Sequence, residues 1–153
     1  MTYKLTYFDT AGRGEAIRFI LNYGEFDFED NRVDQDDWKK LKPDTPFGKL
    51  PVLEYKGKVA HGSVPICRYL AKQCKLAGNN DLEDLEIDGV LTWADLLFAS
   101  IMLQLIGQLE KDIFADYPSL EKNIRKVEEL PKIKEWLIKR PITGLIPAIP
   151  RTT

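Results

Sequence analysis

The sequence is poor in residues that bind metals or trade disulfides. It has one histidine, His61, two cysteines, and no Cys-x-x-Cys. One histidine without a cysteine cluster offers no metal-ligand set. The lack of a Cys-x-x-Cys after the first predicted strand counts strongly against thiol–disulfide oxidoreductase chemistry. Cys67 and Cys74 fall on one predicted helix, which puts their Cα atoms roughly 10 Å apart, too far for a disulfide. A reduced, cytoplasmic protein is expected. No apolar run reaches the roughly 18 residues of a membrane span, and Met1-Thr2-Tyr3-Lys4 does not open a signal peptide. Basic and acidic residues number 22 and 24, a net charge of −2, so nothing suits a nucleic acid or an anionic membrane. What is present is the composition of an ordinary soluble globular protein, 44% hydrophobic and 30% charged over 153 residues, enough for one domain or two small ones.

Tyr3 to Phe8 alternates and is β-prone, which predicts a first strand. Asp9 to Gly12 reads as a turn. Gly14 to Tyr23 reads as a helix, with Ala16, Phe19, Ile20 and Tyr23 on one face and Gly24 at its C′ position. Phe26 to Val33 reads as a second strand, and Asp34 as the N-cap of a short helix ending at Leu41. Val52 to Tyr55 and Lys58 to His61 form a hairpin around Lys56-Gly57. Ser63 is expected to cap a helix to Leu76 with Pro65 in its first turn. This βαβ, short helix, ββα order over residues 1–76 is an α/β, thioredoxin-like arrangement. A helical region follows: a short acidic segment at 81–88, then Thr92-Trp93-Ala94-Asp95 opening a helix to about Leu109. That helix is apolar almost all round and must be buried on most sides. Ser119 to Leu130 and Pro131 to Lys139 read as two more helices, and 141–153 as an extended tail. Two domains are expected, 1–78 and 81–153.

The stretch Phe47-Gly48-Lys49-Leu50-Pro51-Val52-Leu53 puts a proline at the mouth of a buried strand, where it cannot join the ladder. Either this is an ordinary loop-to-strand transition, or the Leu50-Pro51 bond is cis. In the cis form the backbone of Leu50 faces outward, free to pair with an extended peptide.

Tyr3-Lys4-Leu5-Thr6-Tyr7-Phe8, Trp38-Lys39-Lys40-Leu41-Lys42, Pro46-Phe47-Gly48-Lys49-Leu50-Pro51 and Ser63…Arg68-Tyr69-Leu70, in that order, resemble a glutathione S-transferase of the sigma class. Thr92-Trp93-Ala94-Asp95 and Lys139-Arg140-Pro141 resemble the family's central helix cap and its usual ending. The resemblance implies conjugation of the glutathione thiolate to electrophilic small molecules, with glutathione as co-substrate and no other cofactor. It makes Tyr7 the catalytic tyrosine, whose hydroxyl donates to the glutathione sulfur. Stabilising the thiolate of a thiol with a pKa near about 8.5 raises the reactive fraction at neutral pH. Arg13 is implied to add positive potential at the sulfur. Trp38 and Lys42 are implied to hold the glycyl end, Lys49, Leu50 and Pro51 the backbone of the tripeptide, and Gly62 and Ser63 the γ-glutamyl end. Residue spacing alone also fits plainer roles: a strand aromatic, a surface arginine, an amphipathic helix, a helix cap. His61 is read as structural.

Two departures stand out. The family usually carries glutamine where Gly62 stands. Restoring it is expected to tighten glutathione binding by roughly tenfold if the turn accepts a side chain. Between Asp88 and Leu91 the sequence passes directly from the family's first C-terminal helix to its central one, an internal deletion of several dozen residues. The missing helices are implied to form much of the family's dimer interface and of its electrophile pocket. The alternative function is therefore a non-catalytic glutathione-transferase-like binding or structural protein. A homo-oligomer is expected, associating through the uncovered apolar helix.

Overall fold

The strand β1 (Tyr3–Phe8) buries Tyr3, Leu5, Thr6 and Tyr7, as expected of a strand paired on both sides. A computed structural model describes residues 2–78, 80, 82–83, 91–109, 114 and 117–141. β1 runs parallel to β2 (Phe28–Val33), a pairing that requires a crossover, and α1 (Gly12–Tyr23) supplies it. On its other side β1 meets β3 (Val52–Tyr55) antiparallel, and β3 pairs with β4 (Lys58–His61) across Lys56-Gly57. The sheet order is β2-β1-β3-β4. The short α2 (Gln35–Leu41) follows β2, and α3 (Ser63–Gln73) follows β4. This is the thioredoxin-like fold.

Three helices complete the described chain: α4 (Trp93–Leu109), α5 (Pro118–Glu128) and α6 (Pro131–Lys139). Asp95 accepts the Thr92 N–H at 2.7 Å, and the Thr92 hydroxyl accepts the Ala94 N–H at 3.2 Å, so the expected cap of α4 is in place. α1 lies between the sheet and these helices, and every residue from Gly14 to Leu21 is buried. One continuous core joins Leu5, Phe19 and Leu70 to Leu96, Leu103, Ile124 and Ile133.

Several expectations are corrected. The N-cap of α3 is Gly62, at φ 85°, and Ser63 is the first helical residue with no capping bond from its side chain. The helix ends at Gln73, not Leu76. α1 begins at Gly12, and the residue turned left-handed after it is Glu25 (φ 53°), not Gly24. Phe26 is outside β2; its ring packs edge-on against Tyr3 at 5.5 Å. Asp34 caps α2 as expected, accepting the amides of Asp36 and Asp37 at 2.9 and 2.8 Å. α4 is buried along Leu96, Ala99, Ser100 and Leu103. Phe98, Ile101 and Leu105 stay 42, 41 and 40% exposed, and a hollow of about 450 Å³ lies beside Phe98 and Tyr117. The expected acidic segment at 81–88, the junction after Asp88 and the tail at 141–153 lie wholly or mostly outside the described residues.

Candidate active site

Strand register gathers the candidate residues along one edge of the sheet. Thr6 pairs with Val52, so Tyr7 comes next to Pro51, and the Gly62 amide donates to the Pro51 carbonyl at 3.3 Å. Tyr7, Pro51 and Gly62 therefore stand in a row at the C-terminal end of β1, the edge where ligands of α/β sheets bind. The Leu50-Pro51 bond is cis. The backbone N–H and carbonyl of Leu50 have no hydrogen-bond partner among the described residues.

Tyr7 is 9% exposed, and its ring lies close against the first turn of α1. The Arg13 backbone N–H donates to the Tyr7 hydroxyl oxygen at 3.0 Å. Orphan amides and the positive end of the dipole meet at such a helix start. With its oxygen engaged as an acceptor, the phenol has its own O–H free to donate outward. Two glycines permit this approach. A Cβ on Gly12 would fall 2.5 Å from the Tyr7 oxygen, and one on Gly14 would fall 2.4 Å from its ring. The Gly12-x-Gly14 spacing just after a strand-ending tyrosine is the signal that sequence reading left unused. The contribution expected of Arg13 was its guanidinium. That side chain is exposed, and the observed contact comes from its backbone.

Trp38, on α2, packs edge-on against Phe8 with ring centres 5.9 Å apart. Lys42 follows at the end of the helix and runs past Gly48. Lys39 and Lys40 are paired with Asp36 and Asp37. By contrast Arg13, Lys42 and Lys49 have no carboxylate partner among the described residues, which leaves this edge receptive to anions. Ser63 and Val64 open α3 beside Gly62, with their amides at the helix N-terminus. His61 is exposed at the end of β4, its ring 4.5 Å from that of Phe47. Among the described residues no group of three or more His, Cys, Asp or Glu is placed to hold a metal ion, and no helix is long and apolar enough to cross a membrane.

The thioredoxin-like sheet carries a tyrosine at the end of β1 beside a cis Leu50-Pro51 bond, and helices follow it in the chain. Family models for the glutathione S-transferase N-terminal and C-terminal domains match residues 3–72 and 68–140. The hematopoietic prostaglandin D synthase of Rattus norvegicus is 32% identical, covering 94% of this chain and 98% of the relative. A glutathione S-transferase of Anopheles gambiae is 31% identical over 92% of this chain and 98% of its own length. Among solved structures, prostaglandin synthase D of Nilaparvata lugens superposes with a TM-score of 0.85 at 34% identity, covering 94% of this chain and 100% of that one. The chain belongs to the glutathione S-transferase family. The alignment with the rat protein runs over 197 positions, more than the 153 residues here, so the relative carries residues without a counterpart in this chain. Nothing in the fold or the relatives' names favours the non-catalytic alternative.

Proposed function

We propose that the chain is a sigma-type glutathione transferase that joins the glutathione thiolate to electrophilic small molecules. The observation that carries the reading is the Tyr7 hydroxyl, held at 3.0 Å by the Arg13 amide with its O–H left to donate. In this reading that O–H donates to the glutathione sulfur and holds it as thiolate, the nucleophilic form. The thiolate sulfur attacks the electrophile, its electron pair forms the new bond to carbon, and any leaving group departs with its own pair. Arg13 adds positive potential at the sulfur. Leu50 pairs with the tripeptide backbone beside Lys49 and Pro51. Trp38 and Lys42 take the glycyl carboxylate, and the amides at Gly62 and Ser63 take the γ-glutamyl carboxylate.

The exposed Phe98, Ile101 and Leu105 stripe supports a homo-oligomer built on α4. A cytoplasmic location fits two unpaired cysteines, one buried and one half-buried. The domain division falls between residues 78 and 81. Retention on immobilised glutathione followed by a conjugation assay tests the reading. Binding with turnover supports it, and a folded chain that neither binds nor conjugates refutes it.

A further inference from the structure

Two ionised side chains deep in α1 take no part in the chemistry just described. Arg18 is 0% exposed and Glu15 2%. Arg18 donates from Nε to both Asp30 oxygens at 2.9 and 3.1 Å, and from Nη1 to the Thr10 carbonyl at 2.8 Å and Glu15 Oε2 at 3.2 Å. Its Nη2 donates to the Phe8 carbonyl at 3.5 Å, and its guanidinium carbon stands 5.8 Å from the centre of the Tyr7 ring. The other Glu15 oxygen accepts from Trp136 Nε1 at 2.9 Å and from Arg140 Nη1 at 3.1 Å. Among the described residues every buried side-chain nitrogen and oxygen has a partner.

Burying an ionised pair is costly, and apolar side chains of similar volume serve a core as well or better. A buried pair of this kind is weak evidence for stability alone, and what it holds is the stronger clue. Phe8 and Thr10 are the first and third residues after Tyr7, and their carbonyls fix the turn that leads into α1. That turn sets the direction of the Arg13 amide and hence the place of the Tyr7 oxygen. We propose that Arg18 and Glu15 are positioning residues for Tyr7, a buried pair that ties Trp136 of α6, and Arg140 just after that helix, to the turn holding the Tyr7 hydroxyl against the Arg13 amide. This rests on the reading of Tyr7 as the donor to the glutathione sulfur.

The test uses the full chain with isotope-labelled tyrosine, the Tyr7 ring signal being assigned by its loss in Tyr7→Phe. Trp136→Phe keeps an aromatic ring but removes the indole N–H that Glu15 accepts, together with the five-membered ring, at the far end of the network from Tyr7. Arg18→Lys keeps the charge and removes the fork. Both are expected to shift the Tyr7 signal and to lower kcat by about tenfold, within the range for small misplacements of a reacting group, with KM for glutathione unchanged. Neither loss should persist in a Tyr7→Phe background, because residues acting through one group are not additive. An unmoved Tyr7 signal in folded Trp136→Phe, or losses that add in full to that of Tyr7→Phe, would overturn the inference. If Arg18→Lys fails to fold, Trp136→Phe alone decides. If the wild type conjugates nothing, the proposed function falls, and the Tyr7 signal still decides the positioning by its shift or its constancy.

Discussion

Glutamine at Gly62 is expected to lower stability and to leave glutathione no tighter bound, contrary to what the sequence suggests. Gly62 sits at φ 85° and ψ 129°. Space is not the obstacle, since the nearest atom to an added Cβ is Pro65 Cδ at 3.5 Å, an ordinary contact. The cost lies in the backbone, where a side chain in such a region is unfavourable by about 1–3 kcal/mol. A hydrogen bond from the new amide to a charged group contributes a similar amount, about 1.5–3 kcal/mol. If the backbone relaxes to escape the strain, the Gly62 amide leaves the Pro51 carbonyl, and the row formed by Tyr7, Pro51 and Gly62 is disturbed. A mid-range cost of about 2 kcal/mol lowers Tm by about 4–8 °C in a chain of this size. Thermal melts of Gly62→Gln and Gly62→Ala should therefore coincide, both below the wild type. Calorimetric titration with glutathione should show no gain for the glutamine variant. A Gly62→Gln chain that melts with the wild type and binds tenfold tighter would refute this account of the turn.

Gly14→Ala should push the Tyr7 ring aside, because the added methyl falls 2.4 Å from it. Overpacking of this kind costs about 1–3 kcal/mol, and a drop in both Tm and kcat is expected; unchanged kcat would show that the ring is not held there. Burial pushes the Cys67 thiol up from 9.0 to about 12. Above pH about 9 the folded chain then keeps a proton that the unfolded chain loses, so stability falls with rising pH by up to about 1.4 kcal/mol per unit. Denaturant titrations at pH 8 and pH 10 should show a smaller fall in Cys67→Ala than in the wild type, and equal falls would contradict the burial. Ile101→Glu, in the middle of the exposed α4 stripe, should convert a self-associating chain to monomer in sedimentation at micromolar concentration. A wild type that is already monomeric would show that the stripe needs no cover.

Patterns confined to a few neighbouring residues were legible in the sequence. Alternation marked Tyr3–Phe8, Lys56-Gly57 marked the hairpin, and Asp34 and Thr92 marked helix starts whose capping bonds are present. Errors arose where conformation, not residue type, decides. Ser63 has the hydroxyl of a cap, but the backbone turns at Gly62, one residue earlier. Phe26 has the look of a strand residue, but its ring is drawn onto Tyr3. The candidate site was visible through Tyr7 and Leu50-Pro51, whereas the amide that meets the Tyr7 oxygen was not, because it depends on how closely the first turn of α1 approaches. The bonds between Glu15 and the helical half were beyond reach, since Trp136 and Arg140 lie 121 and 125 residues away in sequence.

The central claim is that the Tyr7 hydroxyl holds the glutathione sulfur as thiolate. Tyr7→Phe removes that oxygen and keeps the ring that packs on α1. Steady-state conjugation measured beside calorimetric glutathione binding separates the two roles. The account predicts a fall in kcat of about 10²–10³, the usual cost of one such donor, with glutathione affinity nearly intact because Trp38, Lys42, Leu50 and Ser63 remain. A Phe variant that keeps most of the wild-type rate would contradict it.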